Sequence, residues 1–162
     1  MSNITPHRPR HAFATRRAYA IVASQYNPEY VKALTDSVER EIEILAPKSN
    51  VTVIQVPGAF EIPVVLQEVA ARGEVDAIIA LGVIIKGQTA HADLIGRAIT
   101  DSLQNIALRF RIPVIHEVLL VDNEEQARLR TMGETNRGTE AARAAVQVAE
   151  IMAEVKVKTK VG

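Results

Sequence analysis

Four short runs of Val, Ile, Leu and Ala alternate along this chain with longer stretches whose apolar residues recur every three or four positions. That rhythm is the signature of strand–helix units on a parallel sheet, because a parallel return needs a crossover long enough to hold a helix. The runs at 19–24 (YAIVAS), 51–56 (VTVIQV), 77–85 (AIIALGVII) and 114–121 (VIHEVLLV) are expected strands. The periodicity predicts helices over 31–45, 62–72, 94–111, 123–132 and 138–155. The third run carries no polar residue, so its strand should be covered on both faces. At 162 residues the chain suits one domain, and no linker, repeat or low-complexity tract divides it. The expected fold is α/β: a single three-layer αβα sandwich around a four-stranded parallel sheet, flavodoxin-like, over residues 18–158. A basic arm, 1–17, precedes it, and a tail, 159–162, follows.

Aromatic residues make up only 4%, so the core must be aliphatic. Lys+Arg and Asp+Glu both number 19, which gives a formal net charge of zero. That balance argues against a nucleic-acid binder working by phosphate neutralisation, and it places little self-repulsion in the way of assembly. The absence of Cys rules out disulfides, thiolate nucleophiles and zinc–thiolate sites in this sequence. No apolar run reaches membrane-spanning length and no signal peptide opens the chain, so a soluble, cytoplasmic protein is expected. Arg8, Arg10, Arg16 and Arg17 precede the first acidic residue, Glu29, a pattern that a transit peptide shares. The simpler reading is a short arm, either disordered or lying on a neighbouring subunit.

In open α/β sheets ligands bind beyond the carboxyl ends of the strands. Residues 25–30, 57–61, 86–93 and those after the fourth strand are therefore where chemistry belongs. Lys86, Gly87, Gln88 and Thr89 lead into the third helix, where backbone amides at a helix start can cradle an anion; the plain alternative is a turn with Thr89 or Asp93 as N-cap. His91 follows them. Of four histidines, His7 and His11 fall in the arm, leaving His91 and His116 to the body. A histidine beside an anion cradle suits general acid–base work, whereas His116, inside a strand, reads as a satisfied core or interface residue. Pro57-Gly58 forces a turn before Ala59, Phe60 and Glu61. Glu61 is explained either by the helix dipole or by hydrogen bonds to a polyol. Tyr26-Asn27 after the first strand is either an exposed turn or a stacking platform for a flat ring. Arg130 and Arg137 are either solvated or forks for phosphate. No histidine–carboxylate spacing suits a metal, and no cofactor is expected.

Taken together, 56–63 (VPGAFEIP), 80–91 (ALGVIIKGQTAH), 123–127 (NEEQA) and Asn136-Arg137-Gly138 resemble the motifs of the 6,7-dimethyl-8-ribityllumazine synthase family, in order, and the resemblance runs from Tyr19 onward. It implies a transferase that joins 5-amino-6-(D-ribitylamino)uracil to 3,4-dihydroxy-2-butanone 4-phosphate. Carried over by position, Tyr26 stacks on the pyrimidine, and Ala59, Phe60 and Glu61 hold the ribityl chain. Val83, Ile84 and Ile85 border the ring, and Gly87, Gln88 and Thr89 line the phosphate site. His91 is the acid–base residue. Arg130 binds phosphate with Arg137 near it, and His116 covers the heterocycle; the resemblance brings these three from the adjacent subunit.

Three positions depart from the family. Ala92 replaces a frequent aromatic, His116 a frequent Phe, and Arg137 a common Lys. The resemblance further implies pentamers. The short link 131–136, with Gly133 expected to permit a sharp bend, favours their assembly into a sixty-subunit shell. Riboflavin synthase stands as a candidate physical partner. Two other readings fit the residues alone: a flavin- or nucleotide-binding module without catalysis, and a shell protein without activity.

Overall fold

The computed structural model describes His7 and residues 16–158; most of the expected arm and the tail 159–162 lie outside the described residues. Four strands, β1 (Ala18–Ser24), β2 (Asn50–Val56), β3 (Ala77–Ile85) and β4 (Val114–Val121), form one parallel sheet in the order β2-β1-β3-β4. The register runs Ala18↔Asn50 and Tyr19↔Ala77 about β1, and Ile78↔Val114 between β3 and β4. Five helices cover it: α1 (Pro28–Leu45), α2 (Ile62–Arg72), α3 (His91–Phe110), α4 (Glu124–Thr131) and α5 (Arg137–Lys158). The expected αβα sandwich is the one observed.

Alternate residues of each strand feed two aliphatic cores, as the period of two requires. Tyr19, Ile21, Ile79 and Leu81 pack with α1, α5 and Ala127 of α4. Ala20, Val22, Ile78 and Ala80 pack with α2 and α3 on the other side. β3 is buried from Ala77 to Val83, in keeping with its unbroken apolar run. The helices α1 and α5 cross closely because Gly138 lacks a side chain: a Cβ there would sit 2.4 Å from the Leu34 carbonyl oxygen. A largely buried ion pair, with Arg143 Nε donating to Glu41 Oε1 at 2.8 Å, also ties these two helices.

Strand and helix boundaries differ from the expectations mainly at N-termini. α1 begins at Pro28, not residue 31, because Pro is well suited to a first turn whose N–H groups have no helical partner. α3 begins at His91, not residue 94, and its N-cap is Ala90; neither Thr89 nor Asp93 caps it. α4 is Glu124–Thr131, with the Asn123 side chain accepting from the Gln126 N–H as N-cap. α5 starts one residue early and runs to Lys158. Arg17, assigned to the arm, is held by the body: its side chain meets Asp76 at 3.4 Å and its N–H donates to Ser49 Oγ. Gly133 is needed for space, since a Cβ there would lie 2.9 Å from the Leu129 carbonyl oxygen.

Candidate active site

Three βα turns meet at the carboxyl end of the sheet. Asn27 adopts a left-handed conformation (φ 54°), which Asn tolerates better than most residues, and its Nδ2 donates to the Val83 carbonyl at 2.8 Å. The bond ties the β1–α1 turn to β3 and leaves Tyr26, 73% exposed, standing over the sheet end. The β2–α2 turn, in which Ala59, Phe60 and Glu61 form one 3-10 turn, comes up beside it. A Cβ on Gly58 would lie 2.8 Å from Glu61 Oε2 and 3.6 Å from Tyr26 Cδ2. The carboxylate and the ring therefore converge over one bare backbone position. Phe60 is exposed at their side, and Ala59 packs down over Gly82 of β3.

The β3–α3 turn completes this end. Val83 is buried in the α1/α5 core, while Ile84 and Ile85 are half-buried on opposite faces. Lys86 through Ala90 are exposed and so is His91, the first residue of α3. Because α3 has no side-chain cap, its first-turn N–H groups and the positive end of its dipole face outward beside Gly87, Gln88 and Thr89. Lys86 is anchored: its Nζ lies 3.1 Å from Asp122 Oδ1 and 3.5 Å from Asp93 Oδ1. The hydrogen bond to Asp122 raises the ammonium pKa and lowers that of the carboxylate. The β3–α3 and β4–α4 turns are thereby joined.

The remaining candidates lie on β4, an edge strand of the sheet, and on the helices α4 and α5 that follow it. His116 and Glu117 point to opposite faces of it. The Val118 N–H donates to His116 Nδ1 at 3.2 Å, which puts the imidazole proton on Nε2, 2.8 Å from Thr100 Oγ1; that hydroxyl in turn donates to the Gly96 carbonyl. Burial lowers the His116 pKa, so the ring is held neutral. On the other face Glu117 is buried against α5, where Arg137 meets it at 3.2 Å and also donates to Glu140. Arg137 is not a solvated surface residue: its side chain is 14% exposed. Arg130, on α4, is half-buried and acts on Glu117 electrostatically.

One chain thus carries Tyr26, Glu61, the 86–91 turn and His91 at the sheet end, His116 on the α3 face of β4, and Arg137 on its α5 face with Arg130 acting on the same Glu117. Glu117 and Thr100 were not singled out from the sequence. For Glu117 a signal existed, since alternation within VIHEVLLV places it on the face of Leu119 and Val121.

A family model described as 6,7-dimethyl-8-ribityllumazine synthase matches residues 17–153. Curated proteins of that name are similar to most of the chain. The Paraburkholderia phymatum protein is 41% identical over 132 residues, 81% of this chain and 75% of the relative. The Burkholderia multivorans protein is 39% identical over the same shares. That of Burkholderia vietnamiensis is also 39% identical, over 81% of this chain and 76% of the relative.

Proposed function

The chain belongs to the 6,7-dimethyl-8-ribityllumazine synthase family, a transferase joining 5-amino-6-(D-ribitylamino)uracil to 3,4-dihydroxy-2-butanone 4-phosphate in riboflavin biosynthesis, and from that premise we propose how its residues divide the reaction.

The convergence of the Tyr26 ring and the Glu61 carboxylate over Gly58 carries the assignment. It offers a flat apolar face for the pyrimidine and, at its rim, an acceptor for ribityl hydroxyls. Ala59 and Phe60 flank the ribityl chain with their backbone, and Val83, Ile84 and Ile85 form the floor beneath the ring. Asn27 fixes that floor to the Tyr26 turn. The uncapped start of α3, with Gly87, Gln88 and Thr89, receives the phosphate, and Lys86 holds that turn in place through Asp122.

The uracil's primary amine attacks the ketone and a first water leaves to give an imine. Phosphate is eliminated to leave a carbonyl on the neighbouring carbon, and the ribitylamino nitrogen attacks that carbonyl, a second water leaving as the ring closes. Each step moves a proton at a positioned atom, which is work for His91 beside the phosphate turn. Holding both substrates in one geometry supplies much of the acceleration.

His116, Arg130 and Arg137 complete the site of an adjacent copy: Arg130 meets the phosphate, Arg137 stands near it, and the neutral His116 ring closes over the heterocycle. Two observations support a shared site. The sheet-end residues and those of β4, α4 and α5 lie on different parts of one chain, and the chain exposes several large apolar side chains. Phe60, Val64, Leu94, Leu129 and Met132 are exposed, and a mixed groove of about 400 Å³ is lined by Asp93, Arg97, Thr100, Asp101, Val118 and Leu120. A pentameric ring closes such a heterologous contact, and a sixty-subunit shell of rings is the proposed end state in the cytoplasm. Riboflavin synthase is the proposed physical partner.

Mixing sized protein with both substrates and following lumazine absorbance and fluorescence tests this. Product is expected from the assembled fraction. An active monomer would overturn the shared site, and flavin binding without turnover would leave only a binding module.

A further inference from the structure

Arg130 and Arg137 both stand near the phosphate in the shared-site reading, yet the chain treats them differently. Arg137 heads α5 and turns toward β4. Its Nε donates to Glu117 Oε2 at 3.4 Å and its Nη2 to Glu117 Oε1 at 3.2 Å. Its Nη1 donates to Glu140. All three guanidinium nitrogens thus donate to carboxylates, including the edges that would fork onto a phosphate. The side chains of Arg137 and Glu117 are 14% and 7% exposed, so solvent screens this pairing poorly. Arg130 has no carboxylate hydrogen-bonded to it among the described residues. A lysine in place of Arg137 would offer one ammonium where two carboxylates here find a planar donor. Glu117 and Arg137 therefore make sense as a pair.

We propose that Glu117 tunes the charge of the phosphate site: with Glu140 it offsets Arg137, so the phosphate meets one effective cation, Arg130, instead of two. The inference rests on the shared-site reading and narrows the role of Arg137 within it. Phosphate is a product as well as part of a substrate, and a site with two uncompensated guanidiniums would retain it. Glu117 is faced by Arg137, Glu140 and, at longer range, Arg130. Burial pushes its carboxyl up to about 7 against the pull of the two arginines. The offset is therefore fullest at alkaline pH.

Inorganic phosphate, used as an inhibitor competing with the butanone phosphate on the assembled protein, tests this. Glu117→Gln keeps the shape and an acceptor for Arg137 while removing the charge. Its phosphate inhibition constant should fall about three- to tenfold, the effect of one extra charge at a partly screened site. Adding Arg137→Gln should return the constant to the wild-type range, because the unmasked cation is gone. A merely structural lesion would loosen the site and raise the constant. Glu140→Gln should tighten phosphate in the same direction, and it carries the test if Glu117→Gln does not fold. Unchanged or weakened phosphate binding, or a gain that survives in the double variant, overturns the proposal. Arg130→Ala checks the premise separately. If phosphate inhibits it as well as it inhibits the wild type, the shared phosphate site falls, and this inference with it.

Discussion

In the proposed mechanism His91 and Arg130 carry separable parts of the reaction, and their variants should show it. His91→Ala removes the proton shuttle but leaves the positioned substrates, so kcat should drop about ten- to a thousandfold without vanishing. An unchanged kcat would take His91 out of the mechanism. Arg130→Ala should raise KM for the butanone phosphate far more than for the uracil. The loss in kcat/KM should be on the order of 2–4 kcal/mol, that of a charge-assisted contact; equal damage to both substrates would refute the assignment. Glu117 links charge to stability. Its folded pKa, near 7, lies above the ordinary value of 4.5. The stability this confers is full below the ordinary value and is lost as pH rises through the folded one. Glu117→Gln cannot ionise, so it should gain on the wild type between pH 5 and pH 8, by roughly 2 kcal/mol. Urea unfolding at the two pH values measures the gap, and a gap that stays constant contradicts it.

Among the elements, α3 is built with a loose end at each terminus. At its start no side chain caps the first N–H groups, which leaves them for an anion. At its end Arg111 takes a left-handed conformation (φ 54°) while its N–H donates to the Ala107 carbonyl, a geometry that usually belongs to glycine. Arg111→Gly should therefore raise unfolding stability by about 0.5–1 kcal/mol, the strain relieved less the added freedom of the unfolded chain. Thermal unfolding of the two proteins decides it; a lower midpoint would show that the exposed Arg111 side chain contributes more than its backbone strain removes.

For the whole molecule, the proposed division of the site between two parts of the chain has a direct consequence. Glu61→Ala disables the sheet-end half and Arg130→Ala the β4 half. If each site draws one half from each of two adjacent copies, dissociating and co-assembling the two variants in equal amounts should restore about a quarter of the wild-type sites, those at which both halves are intact. Assemblies that stay as inactive as either parent would show that each chain builds its site alone.

The amino-acid order alone determined the four parallel strands, because a period of two in short apolar runs and a period near 3.6 between them admit few other folds. It also marked 57–61 and 86–91 as turns at the carboxyl end of the sheet, where the structure places them, since turn residues act through local backbone geometry. Helix starts were less legible. Pro28 follows a turn-like Asn yet suits a first helical turn, and His91 follows a loop with no capping side chain; both are exposed, so no buried apolar residue marks where either helix starts. The convergence of Tyr26 with Glu61 over Gly58, and the pairing of Glu117 with Arg137 twenty positions on, were decided by the tertiary structure. Each depends on which face of which strand lies against which helix, a long-range outcome that no local propensity encodes.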